Sequence, residues 1–229
     1  MTSSVPVLTI DGPSGAGKGT VSQRLAEKLK WHYLDSGALY RVLVVAADRA
    51  DLGAEHESQL SRLAASMQVE FRPNLGDLVQ VVLNGEDVSG LIRTEACGNK
   101  ASELAALPPV RAGLLDLQHK MRQLPGLVAD GRDMGTVVFP DAVTKIFLTA
   151  SPEIRAQRRH KQLMEKGLDV NLPRLISEIR ERDRRDAGRA VSPLRPAEDA
   201  FELDSSCLDI DAVVDQIMQR LREVCVLES

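Results

Sequence analysis

Residues 12 to 20 read GPSGAGKGT, a glycine-rich turn ending in lysine and threonine, set between the apolar run Val7 to Ile10 and an amphipathic stretch. A strand that feeds a tight turn into a helix aims several backbone N–H groups and the positive end of the helix dipole at one spot, where a di- or triphosphate can be held. Gly12, Gly15 and Gly17 keep side chains out of that space, and the whole run through Ser14, Ala16, Gly19 and Thr20 is the predicted nucleotide cradle. Lys18, in the first turn of the helix, reaches the outer phosphates as a point charge, and the Thr20 hydroxyl is placed to serve a magnesium ion or a phosphate oxygen. A solvent-exposed glycine turn is the plainer alternative, but strand, turn and helix in this order favour the cradle. Gly19 stands where the common pattern has Ser or Thr, so the hydroxyl moves one place along.

A second concentration of chemistry is cationic. Between Glu153 and Arg189 there are 11 Lys or Arg against 7 acids, although the whole chain has a net charge of −4. Any single one of these arginines reads as part of a solvated helix face. As a group, on a chain with a phosphate cradle, they suggest arms that close over phosphates and neutralise charge during transfer. Repulsion among Arg155, Arg158 and Arg159 further predicts an arm that stays open until phosphates arrive. By contrast Cys97, Cys207 and Cys225 are widely separated and form no CxxC pair, and His32, His56, His119 and His160 show neither triad nor metal-ligand spacing. Covalent catalysis has no candidate here.

These groups need elements to position them. The 229 residues suffice for one sizeable α/β domain with insertions. A hydrophobic share of 43% with 27% charged residues is ordinary for a soluble globular chain, while 3% aromatics and an acidic balance argue against a nucleic-acid polymer as partner. No apolar run approaches the ~20 residues that span a bilayer and no leader pattern opens the chain, so the expected location is the cytoplasm. Helical periodicity follows the glycine turn at Val21, Leu25 and Leu29, recurs at Leu39, Val42, Leu43 and Ala46 behind a cap at Asp35 or Ser36, and appears again from Val110 to Leu124 and at Val213, Val214, Ile217 and Leu221. Short apolar runs at Leu127 to Ala129, Lys145 to Leu148 and Ala200 to Leu203 join Val7 to Ile10 as buried strands, with Trp31 to Leu34 a short segment between helices. The alternation predicts a parallel sheet covered on both faces. Residues 53–108 break it with a polar helix-like piece, strands at Val69 to Arg72 and Leu78 to Leu83, and an Asn84-Gly85 turn, as an inserted subdomain would.

Four motifs in this order, GPSGAGKGT, DSGALYR at 35–41, LVADGRDMGTVVFP at 127–140 and ERDRRDAGRAVSPL at 181–194, resemble the bacterial cytidylate kinase family of nucleoside monophosphate kinases. The likeness spans nearly the whole chain, and the GKGT ending is typical of that family. It implies an α/β P-loop kinase fold, a single domain over 1–229 with a five-stranded parallel sheet flanked by helices, the 53–108 segment as the monophosphate-binding insertion and 152–170 as a lid. It also implies transfer of a phosphoryl group from ATP to CMP or dCMP, with magnesium, by a monomer. By resemblance, Lys18 and the amides around it hold the ATP phosphates and Asp130 orients hydrated magnesium. Arg41, Arg132 and Arg182 grip the CMP phosphate, a task suited to planar, permanently charged forks, with help from Ser36. Asp186 serves the ribose, Arg189 ribose or phosphate, and Ser102, Arg111 and Asp133 read cytosine. One or other of Arg158 and Arg159 reaches the transferring group. The base reading has its own logic: cytosine offers an amino donor beside ring acceptors, which a carboxylate and a guanidinium can meet together, and uracil reverses the first two. Two rivals remain at this point: a P-loop kinase for another acceptor such as UMP or a metabolite alcohol, and a nucleotide-dependent switch. The latter would carry an N-K-x-D guanine reader, but Asn99-Lys100 is followed by Ala101 and Ser102.

Overall fold

The computed structural model describes residues 5–72, 79–165, 167, 170–189 and 191–224. Its central strand, β1 (Val7–Asp11), is buried along its whole length, as a parallel strand covered on both faces must be. The glycine turn follows and then α1 (Lys18–Leu29), which buries Val21, Leu25 and Ala26. The short segment after it is a true strand, β2 (His32–Asp35), leading into α2 (Ser36–Arg49). Asp35 is the cap of α2, its Oδ1 accepting the Ala38 N–H at 2.8 Å and satisfying one of the orphan donors of the first turn.

The inserted segment builds α3 (Glu57–Ser66), a small antiparallel sheet of β3 (Val69–Arg72), β4 (Gln80–Leu83) and β5 (Glu86–Asp87), and then α4 (Ser89–Ile92) and α5 (Glu95–Leu104). Asn84 and Gly85, at φ 49° and 89°, make the expected hairpin turn. Its second arm, β5, is two residues long, too short for alternation to reveal. Leu78, expected to open β4, lies outside the described residues. Leu60, Val69, Val81, Leu83, Ile92 and Leu104 pack into the same core as Val7, Leu34 and Leu127, so the insertion shares the hydrophobic interior of the main sheet.

Pro108 and Pro109 open α6 (Pro108–Lys120), which ends four residues earlier than its periodicity suggests. There follow β6 (Leu127–Gly131), a π-helical turn over Met134–Val138, β7 (Thr144–Thr149), α7 (Pro152–Glu165), α8 (Leu172–Ala187), β8 (Phe201–Asp204) and α9 (Ile210–Val224). The five-stranded sheet runs β2-β6-β1-β7-β8 with every neighbouring pair parallel. Alternation splits the interior in two. Leu8, Ile10, Val128, Ile146 and Leu148 meet α1 and α9 on one side, while Val7, Leu34, Leu127 and Ala129 meet the α2 side on the other. Register sets Asp130 opposite both Ile10 and Asp35, and Asp11 opposite Gly131, so three neighbouring strands each carry a carboxylate within their last two residues. The crevice at the carboxyl ends of such strands is where open α/β sheets bind ligands.

Candidate active site

The glycine turn takes the conformation its glycines permit. Gly12, Gly15 and Gly17 have φ of 149°, 79° and 94°, and a Cβ on Gly12 would lie 2.0 Å from the Leu148 carbonyl oxygen. Ser14, Gly15, Gly17, Lys18, Gly19 and Thr20 line an open cleft of about 2220 Å³, whereas Ala16 is buried and shapes the loop from behind. Lys18 begins α1, is buried, and its Nζ donates to the Pro13 carbonyl at 3.0 Å while standing 3.9 Å from Asp130 Oδ1. Burial and the nearby charge of Arg132 pull the Lys18 ammonium below its ordinary range. Burial pushes the Asp130 carboxyl up, against the pull of Lys18. This is a buried charge cluster, with Asp11 and Asp35 also close enough to be felt by Lys18.

The far half of the cleft is made of side chains. Ser36, Arg41, Ser102, Arg111, Arg132, Asp133, Arg182, Asp186 and Arg189 come from positions spread between 36 and 189, and all of them line the same cleft as the glycine turn, with Ser36, Asp133 and Asp186 reaching it from buried positions. Arg41 donates to the carbonyls of Ile92 at 2.7 Å and Thr94 at 3.3 Å, which fastens α2 to the insertion. Arg111 donates to the Ala105 carbonyl at 3.2 Å and to Asp133 Oδ2, and its guanidinium lies 6.0 Å from the centre of the Tyr40 ring. Asp186, 1% exposed, accepts from Arg132 Nε at 3.0 Å and Arg189 at 2.6 Å; burial alone would raise its pKa, but those two guanidinium groups outweigh it and hold the carboxyl low. Arg189 also donates to Ser102 Oγ at 3.2 Å. Arg182 has its Nε buried without a hydrogen-bond partner among the described residues, and burial followed by the charge of Arg132 brings its pKa down to about 10. Arg132 and Arg182 thus form a gathering of cations whose remaining capacity suits an anion.

The basic segment sorts into two kinds of residue. Many of its charges are committed to each other: Arg180 to Glu153, Arg174 to Glu178, and Arg184 to Glu181. Arg155, expected in a repelling arm, is instead 3% exposed and fully engaged, donating to Ala150 O at 2.8 Å, Ser14 O at 3.1 Å and both oxygens of Asp183 at 2.9 and 2.5 Å. Arg158 donates to Ala16 O at 3.5 Å and to Ser205 Oγ and O at 3.2 and 2.6 Å. The first turns of α7 therefore hold the glycine turn and the end of β8 together. Arg159, half-buried on the cleft wall, has its pKa lowered by burial and then by Arg41 on the acceptor side. Lys166 and Asp169 lie outside the described residues.

Sequence reasoning passed over Asp11, Tyr33, Tyr40, Asp183 and Ser205. A carboxylate at the end of a strand leading into a glycine turn was the available signal for Asp11; the others carry none. Cys97 and Cys207 are free thiols, Cys97 donating weakly to the Arg41 carbonyl at 3.5 Å, and Cys225 lies outside the described residues. His32 and His119 contact the carbonyls of Leu124 and Val138 at 2.9 and 2.8 Å, structural positions away from the cleft. Among the described residues no helix is long and apolar enough to cross a membrane.

The family profile of cytidylate kinase matches residues 8–223, taking in the glycine turn, the arginine cluster and the strands between. The chain belongs to the cytidylate kinase family. It is therefore a nucleoside monophosphate kinase with a P-loop. The cytidylate kinase of Aeromonas salmonicida is 61% identical over 213 residues, 93% of this chain and 92% of that one. The cytidylate kinase of Photobacterium profundum is 59% identical over 229 residues, covering 100% of both. Among solved structures, an uncharacterized protein from Eubacterium ventriosum superposes with a TM-score of 0.51 at 12% identity, over 96% of this chain and 99% of its own, a likeness of fold alone.

Proposed function

We propose that the protein transfers the terminal phosphoryl group of ATP to CMP and dCMP, giving CDP and dCDP. The observation that carries this reading is the Arg111–Asp133 pair, with side chains 12% and 6% exposed, lining the same cleft as the phosphate loop. A surface ion pair would be worth under ~1 kcal/mol and would need no cleft. Here the carboxylate of Asp133 accepts from the cytosine amino group and Arg111 donates to the ring acceptors, with the Ser102 hydroxyl beside them. Arg41, Arg132 and Arg182 take the acceptor phosphate with Ser36, Asp186 meets the ribose, and Arg189 ribose or phosphate.

The phosphate loop from Gly12 to Thr20 holds ATP, and chemistry is positioning plus charge stabilisation. Lys18, Arg132, Arg182 and Arg159 surround the point where the two phosphate chains meet. Of the two lid arginines, we assign Arg159 to the transferring group, because it lines the cleft close enough to the acceptor side to feel the charge of Arg41. Asp130 and Thr20 supply hard oxygen donors of the kind magnesium prefers. Asp130 would contact such an ion, brought in on the nucleotide phosphates, through water. Magnesium bound with ATP draws charge off the phosphate oxygens. Residues 53–108 act as the monophosphate-binding insertion and 152–170 as a lid on one domain spanning 1–229, in a cytoplasmic monomer.

Steady-state ADP formation with CMP, dCMP, UMP, AMP and GMP tests the reading. CMP and dCMP should give the highest kcat/KM. UMP or a purine nucleotide used equally well would overturn it.

A further inference from the structure

Asp11 lies in the strand that feeds the phosphate loop, yet its carboxylate faces the other half of the site. It is 5% exposed, with Oδ1 accepting the Met134 N–H and Oδ2 the Gly135 N–H, each at 2.8 Å. These amides open the π-helical turn after β6, where main-chain donors have no partner within the turn. Gly131 is still paired in the sheet opposite Asp11. Only Arg132 and Asp133 lie between the strand end and the two tied amides, so this two-residue span is pinned at both ends. The contact is close: a Cβ on Gly135 would come within 2.9 Å of Thr9 Oγ1, and so the loop lies flat on β1.

From this we infer that Asp11 is a positioning residue for selection of the acceptor nucleotide: by fixing Met134 and Gly135 it sets where Arg132 and Asp133 stand. The inference rests on the acceptor reading above. Burial pushes the Asp11 carboxyl up to about 6, even though the two N–H bonds pull the other way. A buried carboxyl kept at that cost in a strand with no other charged side chain has a task beyond filling space. Displacing a reading group by about 1 Å weakens contacts that depend on fixed geometry, even when the displaced residue keeps its identity.

The test is Asp11→Asn, which keeps the shape and replaces one acceptor oxygen by a donor facing an N–H. Steady-state kinetics should show kcat/KM for CMP reduced about tenfold, mostly through KM, a lower CMP to UMP ratio, and a KM for ATP within about twofold of wild type. Amide exchange at Met134 and Gly135 should accelerate while β1 and β6 keep their protection. Faster exchange at these two amides with an unchanged CMP KM and unchanged CMP to UMP ratio would overturn the positioning role. If Asp11→Asn does not fold, Asp11→Ser, which removes the carboxylate without setting an amide donor against a main-chain N–H, is read in the same way. A wild-type protein without preference for CMP over UMP would instead refute the acceptor reading itself.

Discussion

The two halves of the cleft are built by different means. The donor half is nine consecutive residues, and its shape follows from glycines at φ values other residues rarely adopt. The acceptor half is assembled from α2, α5, α6, the loop after β6, α8 and the segment behind it. Most of its arginines are already engaged: Arg41 with two carbonyls, Arg111 with Asp133, Arg132 and Arg189 with Asp186. A backbone cradle keeps its shape through what packs against it, as the 2.0 Å that would separate a Cβ on Gly12 from the Leu148 carbonyl oxygen shows. A side-chain cradle is rigid because its charges hold one another, so losing one member disturbs the rest. The first kind should answer to mutation in turnover, the second in selectivity.

The largest expected effect falls on the donor half. Lys18→Met removes a preorganised charge facing the phosphates, and kcat should fall on the order of 10²-fold or more. Folding should suffer less, because the ammonium is buried at a cost beside Arg132, and Asp130, left without its cation, has a carboxyl already pushed up by burial that can take a proton. Thermal unfolding of the variant, read beside kcat, separates the two. Near-normal turnover in folded protein would mean that main-chain groups alone carry the donor half.

A smaller effect, and of another kind, is expected across the cleft. Asp133→Asn can turn its amide to donate to the O4 of uracil but no longer offers the cytosine amino group a full carboxylate. A good base-edge contact is worth roughly 1–3 kcal/mol, so the CMP to UMP ratio of kcat/KM should fall about tenfold or more, mainly through lost CMP activity. The measurement is kinetics with both nucleotides. An unchanged ratio would remove Asp133 from base reading and would leave Arg111–Asp133 as a structural pair.

The same contrast governs what could be read in the sequence. The phosphate loop is local, so strand, glycines, Lys18 and helix appear in order along the chain, as do the buried strands with their short apolar runs. The parallel five-stranded sheet follows from that alternation. The acceptor half is non-local: Arg111 and Asp133 are 22 residues apart and Arg132 and Asp186 are 54 apart. Nothing in the spacing announces such pairs: the family resemblance implied Arg111 beside Asp133, whereas the contact of Arg132 with Asp186 emerges only from the fold. The short β5 and the four-residue α4 fell below the length at which periodicity is legible. Arg155 misled for a physical reason: charge counting treats every guanidinium as a free cation, whereas its partner Asp183 sits a helix away.

That correction to Arg155 sharpens the comparison where the two halves meet, in α7. If like-charge repulsion opened the whole 152–170 arm, its first turns would exchange amide hydrogens as freely as its last. Instead Arg155 and Arg158 tie those turns to Ser14, Ala16 and Ser205, and Arg155 also grips Asp183 of α8. Any closure must therefore bend beyond Arg158, carrying Arg159 and the rest of α7 toward the phosphates while the beginning of the helix stays with the donor half. Hydrogen exchange with and without a bisubstrate analogue should show protection already present over 155–158 and little changed, with a gain of a few fold confined to residues 159–165. A uniform gain over the whole of α7 would mean that the clamp at Arg155 releases during the cycle. No gain at 159–165, with binding confirmed independently, would place the moving part of the lid elsewhere and return Arg159 to a static wall of the cleft.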